Sequence, residues 1–366
     1  MDVDGAVGAI LHTAETQPPH AYWHGLASER AVLARDPARA GALLAPALGH
    51  ASRDVRRFVA RVLCELGQAD VLRRALADAD DEVRYEACHG VLGVAVGAAH
   101  AYGRTIRVEP AVRAEVLAAL RSFTATKPYI AAGVIQLRVR LADPELLAFS
   151  RTHARDPQWH ELYNALARIP GGGPRVLELT RDPDPWVRQR ACVALYEPFV
   201  DLDPAEAIAA LVERLADPEC RSTAATALGS LGAREAERHL LEHLGDTADA
   251  GVITTLARWQ SQAALPQLLA LAITGNTVAI DALERYPGSA AIEDALLAVL
   301  ASAADLDVRR HAAEVLSHQG SVTSVPALEQ FVEHDARGLT KRYRKEAQRR
   351  LPVRIAQLRE RPPWPR

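Results

Sequence analysis

The residues most suggestive of chemistry are His239-Leu240-Leu241-Glu242-His243, an H-x-x-E-H run. On a helix the two histidines stand one turn apart. Both can then ligate one zinc ion while the glutamate acts as general base, as in inverted zinc peptidases. Leu240, Leu241 and Leu244, however, form an apolar stripe that turns the histidines to the helix flank, and no third protein ligand is apparent on the segment that follows. No metal site and no cofactor are expected, and the spacing alone leaves metal uptake by the His239-Glu242-His243 helix open. His20 and His24 share the one-turn spacing but straddle Tyr22-Trp23 in an entry segment without a helical pattern. Cys64, Cys88, Cys192 and Cys220 are scattered with no C-x-x-C spacing, which suggests neither a disulfide framework nor a zinc knuckle. Pro170-Gly171-Gly172-Gly173-Pro174 lacks the Lys and Ser/Thr of a phosphate loop and reads as a hairpin turn. No Ser-His-Asp set, Schiff-base lysine or carboxylate pair is recognisable.

The elements that carry these residues are helical. The chain is 49% hydrophobic but only 5% aromatic, mostly Ala, Leu and Val, which suits closely stacked helices better than a β-sandwich. The acidic start Met1-Asp2-Val3-Asp4 has neither the basic residues nor the apolar run of a signal peptide, and polar residues and Pro266 interrupt the uncharged stretch 259–280. A cytoplasmic location and no membrane association are expected. Charge is unevenly spread. Of the net −3, residues 335–366 contribute +8 (eleven Lys and Arg against three acids), leaving −11 for the first 334.

One phrase recurs: an Asp or Asp-Pro turn, Val-Arg, alanines, then Leu and Gly. It stands at Asp54-Val55-Arg56, Asp81-Glu82-Val83-Arg84, Asp184-Pro185-Trp186-Val187-Arg188, Asp217-Pro218-Glu219-Cys220-Arg221 and Asp307-Val308-Arg309. Weaker copies run from Ile130 to Leu141, Trp159 to Leu166, Val252 to Trp259, Val278 to Tyr286 and Lys341 to Leu351. Asp caps the next helix, Pro suits its first position, Val and Leu share one face, and Gly takes the left-handed cap. A second amphipathic helix separates the phrases, and no single pair can bury its apolar face alone, so the pairs must stack.

The phrase and its spacing resemble the HEAT-repeat superfamily, especially the short bacterial HEAT-like repeats also found in phycobilin lyases, over nearly the whole chain. The resemblance implies an all-α solenoid, or superhelix, of about ten helical hairpins. We divide it into an irregular cap and first hairpin (1–50), a repeat solenoid (51–334) with an insertion near 93–110, and a basic cap and tail (335–366). It further implies that Arg56, Arg84, Arg188, Arg221 and Arg309 form a structural ladder with the turn aspartates, and that the Val-Arg helices line the concave side. Residues two, three, six and nine after the Val then face a groove. These are Arg57, Phe58 and Arg61; Tyr85, Glu86 and His89; Gln189, Arg190, Val193 and Tyr196; and Arg310, His311 and Glu314, with Trp186 beside them.

Phe58, Tyr85 and Tyr196 would be the aromatic anchors of a protein-binding surface. Joint substitution of Tyr85 and Tyr196 should weaken partner binding without unfolding the chain. Trp159 fills the Val slot and is expected in the core. Cys88 and Cys192 take an alanine slot and Cys220 the Val slot, as small apolar fillers. The basic tail has Lys341, Arg342, Arg344, Lys345, Arg349 and Arg350 around an apolar line through Tyr343, Ala347 and Leu351. It reads as a capping helix or as a dock for nucleic acid or an acidic partner, with the end Arg361-Pro362-Pro363-Trp364-Pro365-Arg366 frayed. The function expected is a non-catalytic scaffold or adaptor for a protein partner. A nucleic-acid binder or HEAT-like DNA glycosylase is the first alternative and a lyase-like enzyme the second. Against the glycosylase stand the acidic body and the lack of an acid four residues after any Trp.

Overall fold

An aspartate closes the first turn of helix after helix along the chain. In the computed structural model, which describes residues 1–17, 26–94, 105–124 and 127–365, the carboxylates of Asp80, Asp184, Asp249 and Asp305 accept from the backbone N–H two residues on, at 2.8–2.9 Å. Asp54, Asp81 and Asp307 instead lie inside the first turn, because those helices start earlier than the phrase suggests. Gly67 and Gly232, each just past a terminal Leu, take φ of 67° and 69°, the left-handed conformation that lets the chain leave the helix.

Two compact units result, Met1–Arg175 with Phe199–Asp201 and Val176–Pro198 with Leu202–Arg366. The first contains α1 (Val3–Thr16), α2 (Ala27–Leu33), α3 (Pro37–Leu44), α4 (Arg53–Glu65), α5 (Ala69–Leu72), α6 (Asp81–Val91), α7 (Pro110–Arg121), α8 (Pro128–Arg140), α9 (Leu146–His153) and α10 (Glu161–Leu166). The division between the units falls within α11 (Gly172–Leu179). The second contains α12 (Pro185–Ala194), α13 (Pro204–Arg214), α14 (Arg221–Leu231), α15 (Glu237–Thr247), α16 (Ala250–Arg258), α17 (Leu265–Ile273), α18 (Thr277–Leu283), α19 (Ala290–Ser302), α20 (Leu306–Gln319), α21 (Val325–Glu333) and α22 (Lys341–Leu358).

No strand occurs among the described residues, and no described helix is long and apolar enough to cross a membrane. The strong phrases lie on α4, α6, α12, α14 and α20, and the weak ones on α8, α10, α16, α18 and α22. Within the second unit α12, α14, α16, α18, α20 and α22 pack each on the next, while α13, α15, α17, α19 and α21 back them. In the first unit α6 packs on both α4 and α8, and α8 on α10.

In three of the five strong phrases the arginine ties its helix to the next hairpin's turn, while Arg84 and Arg221 bond to the turn before their own helix. The Arg56 guanidinium donates to Asp78 at 2.7 and 3.0 Å and to the His50 and Ala51 carbonyls at 3.0 and 3.2 Å. Arg188 repeats the arrangement with Asp217 at 2.8 Å and the Asp182 and Pro183 carbonyls at 2.9 and 3.0 Å. Arg309 reaches Asp335 at 3.0 Å, Arg84 the Asp78 and Ala79 carbonyls, and Arg221 the Leu215 carbonyl. These side chains satisfy carbonyls left free at inter-helix turns, so their charge is spent inside the scaffold.

Close approach sets the spacing of the second unit. Gly251 opens α16 against α14, where an added Cβ would lie 2.2 Å from the Ser222 carbonyl oxygen. Gly251→Ala is therefore expected to lower stability by about 1–3 kcal/mol through a forced backbone shift, read as a lower thermal midpoint. Gly245→Ala on the open side of α15, where the nearest atom would be 3.9 Å away, should instead be neutral or stabilising. A midpoint for Gly251→Ala equal to wild type would count against this packing.

Two sequence expectations change or fall outside the described residues. The C-terminal end is pinned rather than frayed. Arg361 donates to the His318 and Gly320 carbonyls at 3.0 and 2.8 Å, Val322 N–H donates back to the Arg361 carbonyl, and Trp364 Nε1 donates to the Gln319 carbonyl at 3.0 Å. The Trp364 ring lies against Gly288, so long-range contacts order a segment whose local composition favours fraying. Of the insertion near 93–110, residues 95–104 lie outside the described residues, as do His20, Tyr22, Trp23 and His24. In its described part, Ile106 N–H donates to the Arg140 carbonyl at 2.9 Å.

Candidate protein-binding face

The groove positions divide by unit. In the first, Phe58, Tyr85, Glu86 and His89 are buried, His89 completely. This corrects their expected exposure. Every residue of α6 from Val83 to Val91 is buried, because α4 and α8 close on both flanks of the helix. The Tyr85 hydroxyl abuts Gly133 of α8, and His89 Nδ1 is 3.3 Å from the Val94 carbonyl. Joint loss of Tyr85 and Tyr196 would therefore disturb packing as well as surface. Arg57 and Arg61 keep about a third of their side chains exposed, with Glu86 Oε1 3.9 and 3.8 Å away, and Arg57 also pairs with Glu82. Burial pushes the Glu86 carboxyl up to about 7 against the two arginines, and burial pulls His89 down to about 4.

In the second unit the equivalent positions reach the surface. Tyr196 is 43% exposed and Arg190 is exposed, while Trp186, Gln189 and Val193 are half-buried. Arg190 lies over the Trp186 ring at 5.7 Å, and Gln189 donates to the Glu219 carbonyl at 2.6 Å. Tyr196 and Val193 border a hollow of about 310 Å³ against Ser222, Thr223, Thr226 and Ser230 of α14. Further along, Asp281, Glu284, Arg285, His311 and Glu314 line a second hollow of about 670 Å³. His311 Nδ1 is 2.6 Å from Asp281, and its Nε2 is 2.7 Å from the Arg310 guanidinium. Nδ1 therefore carries the proton and Nε2 accepts. Arg310 also pairs with Asp307 and Glu314 at 2.8 and 3.2 Å and stacks over Tyr343 at 4.4 Å.

The offsets that located Gln189 and Arg190, counted from Cys220, give Ser222, Thr223 and Thr226. Counted from Val278 they give Asp281 and Glu284. The repeat offsets thus mark α14 and α18 as well as α4, α6, α12 and α20.

The basic residues Lys341, Arg342, Arg344, Lys345, Arg349 and Arg350 lie on α22. Arg350 pairs with Glu346 at 2.9 Å, and none of the others has a carboxylate partner among the described residues. Trp159 is buried. His239 and Glu242 stand on the outer flank of α15 with Nδ1 and Oε2 3.6 Å apart, beside the buried Leu240 and Leu244. No cluster of three or more His, Cys, Asp or Glu in metal-binding geometry occurs among the described residues. Cys88, Cys192 and Cys220 are buried, and burial pushes Cys64 to about 11 and Cys88 and Cys192 to about 12. Such thiols stay protonated at neutral pH and are poor nucleophiles. At the glycine-rich turn, the Asp201 carboxylate accepts from the N–H groups of Gly171 and Gly173, and so already occupies the anion-binding amides.

Comparison with known proteins agrees with this geometry. Residues 169–257 match the model of HEAT repeats. No curated protein matches. Among solved structures, the karyopherin Kap121p bound to the SUMO protease Ulp1p is 13% identical with a TM-score of 0.59, over 98% of this chain and 46% of that one. Kap121p bound to Ste12p is 14% identical with a TM-score of 0.58, over 98% and 45%. Importin beta is 13% identical with a TM-score of 0.51, over 97% and 66%. The chain thus spans less than half the length of Kap121p, and at these identities the likeness concerns the fold alone. The chain folds as all-α helical hairpins of the solenoid type, and its residues 169–257 are HEAT repeats.

Proposed function

We propose that the chain is a non-catalytic protein-binding scaffold whose partner seats on the face formed by α12, α14, α16, α18 and α20. The observation that carries this reading is the make-up of that face. One exposed aromatic anchor, Tyr196, borders a hollow among hydroxyl side chains, and next to them lie carboxylates and guanidiniums of both signs. An aromatic anchor within a polar rim is the composition of protein recognition surfaces. Kap121p, solved with bound proteins, supports the reading by likeness of fold. Substituting Tyr196 and Arg190 by alanine together should weaken capture of the partner by about tenfold or more with an unchanged thermal midpoint, since neither side chain is buried. Equal capture by the variant and wild type would sink this placement. The unpaired charges of α22 support nucleic acid as a second reading, and affinity falling steeply with salt would favour it.

A further inference from the structure

The last helices border a cavity of about 480 Å³ that shares Arg310 and Glu314 of α20 with the face above and otherwise lies beyond it. Its floor is apolar: Phe331 and Leu351 are buried, while Tyr343 and Val353 remain 38% and 60% exposed. Its rim is basic. Arg349 and Arg354 line it with no carboxylate partner among the described residues, Arg354 donating only to the side-chain oxygen of Gln357 at 3.3 Å. Unpaired guanidiniums around exposed apolar surface match a ligand that brings carboxylates and one large apolar side chain together.

We propose that this pocket, formed by α20, α21 and α22, docks a short acidic peptide segment of a partner protein, seating an aromatic or leucine side chain on Tyr343 and Val353 and its carboxylates on Arg349 and Arg354. A polynucleotide fits less well. Glu314 and Glu346 line the same cavity, and Glu314 is shared with the neighbouring hollow that holds Asp281 and Glu284. A phosphate chain leaving the pocket on that side runs on to Asp281 and Glu284, whereas a peptide of a few residues ends before that neighbouring hollow. The apolar floor likewise offers a phosphate nothing.

The proposal rests on the chain being a protein binder, and its test is separable from that reading. The probe is a short fluorescein-labelled peptide with two phenylalanines among aspartates and glutamates, titrated with the full chain by fluorescence anisotropy. Its lysine counterpart and a single-stranded oligothymidylate of equal net charge serve as comparisons. The acidic peptide is expected to saturate and the lysine peptide not to bind. Arg349→Glu with Arg354→Glu should weaken the acidic peptide by about tenfold or more, as should Val353→Asp, while Tyr196→Ala leaves it unchanged. All these side chains are exposed or without ion-pair partners, so a preserved thermal midpoint certifies the variants. Absence of saturable binding overturns the proposal. So does oligothymidylate binding as tightly as the peptide, or a charge-reversed variant binding like wild type. If the peptide fails while Tyr196→Ala and Arg190→Ala still abolish partner capture, the pocket proposal falls and the scaffold reading stands. If the peptide saturates and weakens on charge reversal while no protein is captured on the α12–α20 face, the pocket proposal stands and that placement of the scaffold's partner falls.

Discussion

Replacing Asp143 by alanine is expected to lower the stability of the first unit by about 3–5 kcal/mol. Asp143 is buried between α8 and α9. It accepts from Arg138 Nε at 2.6 Å, from Arg121, and from the Glu145 N–H at 3.0 Å. Arg138 is only 2% exposed, and its guanidinium stacks on Phe149 at 4.4 Å. Burial works to raise the Asp143 carboxyl, but Arg121, Arg138 and the amide outweigh it and hold the group below the usual range. Removing the carboxylate leaves the Arg138 charge enclosed with no counter-charge. Replacing both partners, as Asp143→Leu with Arg138→Met, should recover most of the loss, since an apolar pair has no charge to desolvate. Urea unfolding of the three proteins checks this, and a single variant as stable as the double would contradict it.

The second large effect concerns pH. Glu86 ionises at about 7 when folded against 4.5 as a free side chain. Its folded pKa is raised, so its stabilising contribution is complete below about pH 4.5 and lost as pH climbs to 7. His89 ionises at about 4 against 6.5. Its folded pKa is lowered, so its contribution is complete above pH 6.5 and lost as pH falls to 4. Each swing is on the order of 3 kcal/mol. Between pH 4.5 and 6.5 the two slopes oppose each other, and the wild-type stability of the first unit should be nearly flat. Glu86→Gln removes one slope. The variant should match wild type near pH 4, exceed it by on the order of 3 kcal/mol at pH 8, and gain stability steadily between. A variant profile parallel to that of wild type across pH 4–8 would show that Glu86 titrates normally.

Much of the fold is legible in the chain because its signals are local. Asp184-Pro185 sets both a cap and a first helical residue, and the i, i+4 spacing of Val187 and Ala191 names the buried face. The arginine ladder follows in part, since the guanidiniums of Arg56, Arg188 and Arg309, at a fixed place in their helices, meet the turn of the next hairpin. The candidate site is less legible. Whether the flank of a repeat helix is open depends on how closely the next helix approaches, which is set by contacts such as Tyr85 on Gly133. The same offsets therefore give buried residues on α6 and exposed ones on α12. The pinned tail was illegible for a related reason: Trp364 finds its acceptor on Gln319, far back in the chain, and no window around Trp364 reveals it.

Capture of a partner from native lysate by the tagged full chain, with and without nuclease, tests the scaffold reading most directly. A stoichiometric protein that survives nuclease and is lost with Tyr196→Ala and Arg190→Ala is the expected result. Recovery that disappears with nuclease, or nucleic acid co-purifying with the chain, would contradict it.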